Sequence, residues 1–218
     1  MRAWDTALSR ERASAVSGSI AGRGRPRSAS SEQVSAVALD LFARNGFEQT
    51  TLDDVAAAVG VSRRTLLRYY PSKNDLVWGA FSEHLERFRA VLAAAPEDEP
   101  LFDVVWRGVT AFNDYGPDEL PRLRIRMELI TGVPALQAHS ALRYAAWRSV
   151  VAEFVARRLG LAVDDLVPQT VAHVALGTSI ATYARWISRG GDLLALLDDA
   201  FGLVACGFAE RELRPPSS

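Results

Sequence analysis

The sequence predicts an all-α protein in two parts: an N-terminal three-helix unit containing a helix-turn-helix, and a six-helix body behind it. Three observations support this. Apolar residues recur at three- and four-residue spacing between Ser, Thr or Asp starts and Gly stops, the signature of amphipathic helices. No alternating stretch bounded by turn dipeptides reads as a strand hairpin, and no repeat or low-complexity tract interrupts the pattern. Charge is also divided: residues 1–75 carry 11 Lys+Arg against 8 Asp+Glu, whereas residues 76–218 carry 14 against 18. The overall net charge of −1 therefore conceals a mildly basic front and an acidic remainder, as DNA binding at one end requires. With 49% hydrophobic residues in 218, the chain has ample material for a core.

Residues 1–22 are polar and Ser/Ala-rich, with no apolar run suited to a signal peptide. Residues 1–28 are expected to form a disordered basic arm, in which Arg25 and Arg27 sit beside Gly24 and Pro26. Such a narrow extended arm suits a minor groove, where phosphate potential is concentrated, although a solvated tail has the same composition. Ser30 and Gln33 form a capping pair ahead of the stripe Val34, Val37, Ala38, Leu41, Phe42, and Asn45-Gly46 ends that first helix.

The second and third helices lie in 51–73. Thr51 with Asp54 repeats the capping pattern, Leu52, Val55, Ala56 and Val59 share one face, and Gly60 supplies a left-handed stop. Ser62 then caps a short helix that turns Leu66 inward and leaves Arg63, Arg64, Thr65 and Arg68 outward. Two helices about a tight glycine turn, the second rich in arginine and hydroxyls, suit entry into a major groove. A plain helical hairpin with a solvated basic face has the same local pattern. The domain is expected to span 29–73, and 74–218 to form the effector-binding and dimerisation body.

Within the body, 74–95 reads as one long helix and 96–100 as an acidic, proline-bounded break. Helices follow over 101–115 and 118–131; Arg122 to Arg126 alternates as a strand would, but bracketing prolines and segment length favour a helix. A long helix spans 135–159, another runs from Asp164 or Asp165 to about Ser188, and a last one follows Gly190-Gly191-Asp192 to about Glu210. Residues 166–184 carry no charge, yet Pro168, Gln169, Thr170, His173, Thr178, Ser179 and Thr182 make a membrane span a poor reading. A helix uncharged all round is expected to be buried between others, His173 included. On the last helix one stripe comprises Leu194, Leu197, Phe201, Val204 and Phe208, and a second comprises Leu193, Leu196, Ala200 and Leu203. One stripe covers the chain's own body, and the other needs a partner. The expected homodimer interface uses Thr178, Ala181, Leu194, Leu197, Phe201, Val204 and Phe208, with Gly177 and Gly202 allowing close approach.

These residues also carry a resemblance. Thr50-Thr51-Leu52-Asp53-Asp54-Val55-Ala56, Gly60-Val61-Ser62 with Thr65-Leu66, and Tyr69-Tyr70-Pro71-Ser72-Lys73 resemble the DNA-binding signature of the TetR family of bacterial transcriptional regulators. Gly24 to Ser28, Pro71 to Gly79, and Ala135 to Trp147 further resemble the branch serving the mycofactocin system. The resemblance implies a ligand-responsive repressor in the cytoplasm, binding double-stranded operator DNA as a homodimer. Thr51, Ser62, Arg63, Arg64, Thr65, Arg68, Tyr69 and Lys73, with Arg25 and Arg27, are the implied DNA contacts. Arg63 and Arg64 suit guanine edges or phosphate alike. Lys73, the only lysine, implies a phosphate contact, and Tyr70 implies a buried ring. Leu67 stands where the family usually has an aromatic residue, so no contact is carried over there.

The same resemblance implies an effector cavity in the body. Trp78, Phe81, Phe88, Trp106, Phe112, Trp147, Phe154 and Tyr183 are its expected apolar wall, with Arg126 and Arg143 as cations for an anionic group; core packing explains any one of the rings equally well. The effector is expected to be small and apolar or amphipathic, with long-chain acyl-CoA the first candidate. Neither a cofactor, a metal site nor a catalytic residue is expected. His84, His139 and His173 fall on separate helices without metal spacing, no G-x-S-x-G elbow surrounds Ser140, and no phosphate loop exists. The competing readings are a helical ligand-binding module that no longer binds DNA and, less strongly, an enzyme.

Overall fold

The computed structural model describes residues 30–207, all of whose regular elements are helices. The expected arm of residues 1–28, with Arg25 and Arg27, and the interface residue Phe208 lie outside the described residues. The helices are α1 (Ser31–Asn45), α2 (Leu52–Val59), α3 (Arg63–Tyr69), α4 (Lys73–Trp78), α5 (Phe81–Ala93), α6 (Leu101–Asn113), α7 (Leu120–Gly132), α8 (Pro134–Leu159), α9 (Leu166–Arg189) and α10 (Leu193–Ala205).

The first four helices start where side chains satisfy otherwise orphaned amides. Ser30 and Gln33, Thr51 and Asp54, and Ser72 and Asp75 form reciprocal capping boxes, and Ser62 accepts from the Thr65 amide. Gly60 ends α2 in the left-handed conformation at φ +76°. Val34, Ala38, Leu39, Phe42, Val55 and Leu66 are buried together beneath these helices, while α1 and α4 also pack on α7. In the body α8 and α9 form the central pair, flanked by α5, α6, α7 and α10.

The expected single helix over 74–95 is instead broken. Gly79, at φ +54° and ψ −130°, separates α4 from α5. The carbonyls released by the break are not orphaned: Ser35 Oγ donates to Leu76 O at 2.9 Å, and Arg126 Nε donates to Val77 O at 2.9 Å. A Cβ built on Gly79 would fall 2.7 Å from Ser35 Oγ, so both backbone conformation and close approach require glycine there.

Residues 166–184 also depart from the buried helix expected. One side of α9 is buried through Ala172, Ala175, Leu176, Ser179 and Thr182, but Leu166, Val174 and Ile180 are exposed. His173 is likewise exposed, its Nδ1 2.7 Å from Gln169 O, because the helix turns only one of its two uncharged faces toward α8. None of the described helices is long and apolar enough to cross a membrane.

Candidate nucleic-acid interface and ligand cavity

The α2–α3 hairpin is set from within. Leu66 is 2% exposed, and Val61 N–H donates to Ala56 O across the glycine turn. The opposite side of α3 is consequently outward: Ser62, Arg63, Arg64, Arg68 and Tyr69 are exposed, with Tyr69 at 63%, and Thr65 is half-buried. Arg63 forms an ion pair with Asp53 of α2 at 3.1 Å; Arg64 has no carboxylate partner among the described residues. Arg68 Nη2 donates to Tyr69 Oη at 2.8 Å, with its guanidinium over that ring. Thr51 is exposed, but its hydroxyl lies 2.7 Å from Asp54 Oδ2 within the capping box; hydrogen bonds from Thr51 hold the Asp54 carboxyl below its ordinary pKa. Tyr70 is buried, as expected, and its hydroxyl donates to Ser31 O at 2.7 Å.

Lys73, for which the signature implies a phosphate contact, is engaged within its own chain. Its ammonium donates to Phe47 O at 2.7 Å and Thr50 O at 3.3 Å, reaches Glu48 O at 3.5 Å, and lies 4.3 Å from the centre of the Phe47 ring. Three donors meeting three carbonyls and a ring leave it clasping the α1–α2 turn rather than standing as a free point charge.

The reading hairpin joins the body through α4. Asp75 caps its first turn, accepts from Arg143 Nη2 of α8 at 2.7 Å, and has His139 Nε2 3.1 Å from the same oxygen. Burial alone would raise the Asp75 carboxyl; the Ser72 hydroxyl, Arg143 and His139 together hold it below the ordinary range. At the other end of α4, Ser35 and Arg126 hold the break at Gly79.

Behind α4 lies a cavity of about 930 Å³. It runs between α1, α5, α6, α7, α8 and α9, and its wall includes Trp78, Phe81, Phe88, Phe112, Arg126, Trp147 and Tyr183, seven residues expected there. Three others are elsewhere. Trp106 faces α10, where its Nε1 donates to Asp198 Oδ1 at 2.9 Å and its ring stacks on Phe201. Arg143 is engaged by Asp75, and Phe154 is buried against the α8 stem with Arg157 and Arg158 over its ring. Sequence reasoning missed His84, Asn113, Tyr115, Met127, Ile130 and Tyr144, and the charged residues Glu32, Arg87, Asp114, Glu119 and Arg122, which also line the wall.

The cavity's phenols and its imidazole are held neutral. Tyr183 donates to Asn113 Oδ1, and burial pushes its phenol well above the usual value; burial also raises Tyr115 and Tyr144. His84, 3.2 Å from the Tyr115 hydroxyl, is lowered to about 4, first by burial and then by Arg87 and Arg126. What remains is a chamber walled by aromatic and aliphatic side chains, with Glu32, Arg87, Asp114, Glu119, Arg122 and Arg126 also on its wall, suited to holding a ligand by shape and a few polar contacts.

The expected dimer face needs correction. Leu197 and Phe201 are wholly buried in their own chain, Phe201 against Phe102 and Trp106, so neither faces a partner. Leu194, Val204 and Thr178 are half-buried and Ala181 exposed; Leu203 is also exposed, and Leu196 and Ala200 are half-buried. What α10 leaves outward is Leu196, Ala200 and Leu203 of the second stripe, whose Leu193 is itself buried at 2% exposure.

Comparison with known proteins places both halves of this geometry. The model for bacterial regulatory proteins of the tetR family matches residues 35–78, and the MftR C-terminal domain model matches residues 99–209. A Mycobacterium tuberculosis protein named as a mycofactocin biosynthesis transcriptional regulator, MftR, is 42% identical over 185 residues, covering 84% of this chain and 93% of that one. Among solved structures, the fatty acid degradation regulator FadR of Bacillus halodurans has a TM-score of 0.61 at 17% identity, covering 81% of this chain and 98% of that one. Thermus thermophilus FadR, a TetR-family repressor solved with lauroyl-CoA, has a TM-score of 0.55 at 23% identity, covering 86% and 98%. At these identities the two solved structures speak to the fold alone.

Proposed function

Because the chain belongs to the TetR family of bacterial transcriptional regulators, in the branch that carries the MftR C-terminal domain, we propose that it is a cytoplasmic repressor that leaves its operator when a small apolar or amphipathic ligand enters the cavity. The observation that carries this reading is the placement of α4. It lies between the exposed hairpin and the chamber, pinned through Asp75 at one end and at Gly79 at the other, with Trp78 on the chamber wall. A ligand that displaces Trp78 shifts α4, and with it the outward face of α3.

In this reading Ser62, Arg63, Arg64, Thr65, Arg68 and Tyr69, with Thr51 and the arm residues Arg25 and Arg27, contact DNA from residues 29–73 and the preceding segment. Residues 74–218 hold the ligand and the dimer contact. Two copies pair through the exposed side of α9 and the Leu196, Ala200, Leu203 stripe of α10, presenting two α3 helices to an inverted repeat. The regulated genes are those of the mycofactocin system, as for the protein that MftR names. Long-chain acyl-CoA is the first ligand to test: aromatic and aliphatic side chains of the chamber suit an acyl chain, and Arg87, Arg122 and Arg126, beside the carboxylates Glu32, Asp114 and Glu119, offer cations to an anionic head.

The test is titration of the purified protein onto DNA from upstream of its own gene at two salt concentrations. Selective binding that weakens steeply with salt, with two protomers per site, supports the reading. Equal, weak binding to all DNA at low salt rejects it and leaves a ligand-binding module.

A further inference from the structure

Among the described residues three ion-pair contacts join the first four helices to the rest of the chain: Glu32 with His84, and Asp75 with Arg143 and with His139. The Glu32–His84 contact is 4.0 Å long, and an imidazole lowered to about 4 is uncharged at neutral pH. His139 Nε2 stands 3.1 Å from Asp75 Oδ1 but is buried and makes no hydrogen bond. Arg143 is always charged, and its Nη2 donates to the same oxygen at 2.7 Å. The tie that carries charge on both sides and a hydrogen bond between them is therefore Arg143 to Asp75.

Asp75 divides its oxygens between the two sides. Oδ2 accepts from the Ser72 amide at 2.9 Å and the Ser72 hydroxyl at 2.7 Å, closing the capping box of α4. Oδ1 is left for the cations of α8. Since α3 ends at Tyr69 and α4 begins at Lys73, one carboxylate joins the end of the outward helix to the long α8 of the body. Arg143 also lies 5.7 Å from the centre of the Phe81 ring, beyond the Gly79 break. Apolar residues of similar size would fill such a mostly buried site at comparable stability, whereas a charged pair is satisfied only in one geometry. The pair thus suits fixing a position better than adding stability.

We propose that Arg143 is a positioning residue for operator recognition: its hold on Asp75 Oδ1 sets the angle at which α3 leaves the body, so a side chain of α8 governs which sequences the hairpin selects. The proposal rests on the operator-binding reading above and is independent of any ligand. A tilt of α3 moves its outward side chains off the base edges, where hydrogen bonds are directional. Attraction to the phosphates is sequence-independent and survives such a tilt. Loss of the tie therefore falls on discrimination between sequences rather than on affinity for DNA at large.

The experiment titrates purified full-length protein onto DNA from upstream of its own gene and onto an unrelated duplex of equal length, at one salt concentration. Wild type is compared with Arg143→Gln, Asp75→Asn, Arg143→Lys and the double variant Asp75→Asn/Arg143→Gln. Arg143→Gln should lower operator affinity about tenfold, the scale of coupling between distant sites, while affinity for the unrelated duplex stays within about twofold of wild type. Asp75→Asn removes the charge but keeps an oxygen for the Ser72 cap, so it should give the same loss. The double variant should be no more than about twofold weaker than either single one, because each removes the same contact. Arg143 reaches Oδ1 through one nitrogen, which a lysine ammonium can replace; Arg143→Lys should recover operator affinity to within about threefold of wild type.

The ratio between the two duplexes distinguishes a positioning role from a structural one. A destabilised fold lowers binding to both in proportion to the folded fraction, whereas a tilted hairpin lowers the ratio at an unchanged folded fraction, which thermal unfolding of each variant measures. An Arg143→Gln protein with the wild-type ratio, an equal loss on both duplexes, losses that add in the double variant, or no recovery in Arg143→Lys overturns the proposal and leaves the operator-binding reading standing. Wild type that binds the two duplexes alike overturns both.

Discussion

The reading hairpin and the ligand chamber are built on opposite plans. In the hairpin the helix starts are set by local caps, Thr51 with Asp54, Ser62 with Thr65 and Ser72 with Asp75, each three residues apart, and Arg63, Tyr70 and Lys73 add contacts to Asp53, Ser31 and the α1–α2 turn. The chamber wall is drawn from seven helices, and its polar pairs join residues far apart, His84 with Tyr115 and Tyr183 with Asn113. A unit organised by short-range capping holds one shape and offers an invariant face. A chamber assembled from distant helices has its geometry set by their mutual packing, so an occupant can alter it. The difference suits a rigid reader coupled to a deformable sensor.

The largest effect that would separate the two regions is expected from Leu66→Ala. It empties a site 2% exposed under α3 and should cost roughly 2–5 kcal/mol of stability, read by thermal or denaturant unfolding. Operator binding should vanish while probe binding in the chamber persists; loss of both together would mean the regions unfold as one.

Next, Arg64→Ala should lower discrimination between operator and unrelated DNA by about 1–3 kcal/mol at a guanine contact, or lower affinity evenly at a phosphate contact, with the melting temperature unchanged. Lys73→Ala is expected to behave in the reverse manner. Loss of its clasp on Phe47 O and Thr50 O should destabilise the hairpin by about 1–3 kcal/mol, leaving the salt dependence of DNA binding as it was. A salt slope flatter by about one unit would restore to Lys73 the phosphate contact that its place in the family signature implies.

Thr51→Ala removes one N-cap and should cost about 1 kcal/mol, weakening operator binding through fraying of α2. The last test belongs to the chamber and is read in pH. His84 is lowered to about 4 from an ordinary 6.5, so the unfolded chain binds the additional proton. The His84 contribution to stability is therefore fully present above about 6.5 and is lost as pH falls toward about 4; His84→Gln should flatten that part of the pH profile.

The same contrast explains what the sequence could reveal. Caps, the Gly60 stop and the outward arginines are encoded within a few residues of one another, and they were legible. The break at Gly79 was not, because what makes it tolerable is Ser35 from α1 and Arg126 from α7, neither of them near in the chain. Trp106 and Phe154 were assigned to the chamber by ring type, yet type does not report direction: one ring faces α10 and the other packs along α8. On α10 both apolar stripes were visible, but only packing decides that Leu197 and Phe201 turn inward. Lys73 matched its signature position while its ammonium found three carbonyls.

The most direct test of the central claim is an operator titration of the purified protein with and without saturating lauroyl-CoA. The account predicts a loss of at least about tenfold in operator affinity on addition of ligand, a coupling of roughly 1–3 kcal/mol, with α3 itself unchanged in structure. Identical affinities with the chamber demonstrably occupied would contradict it.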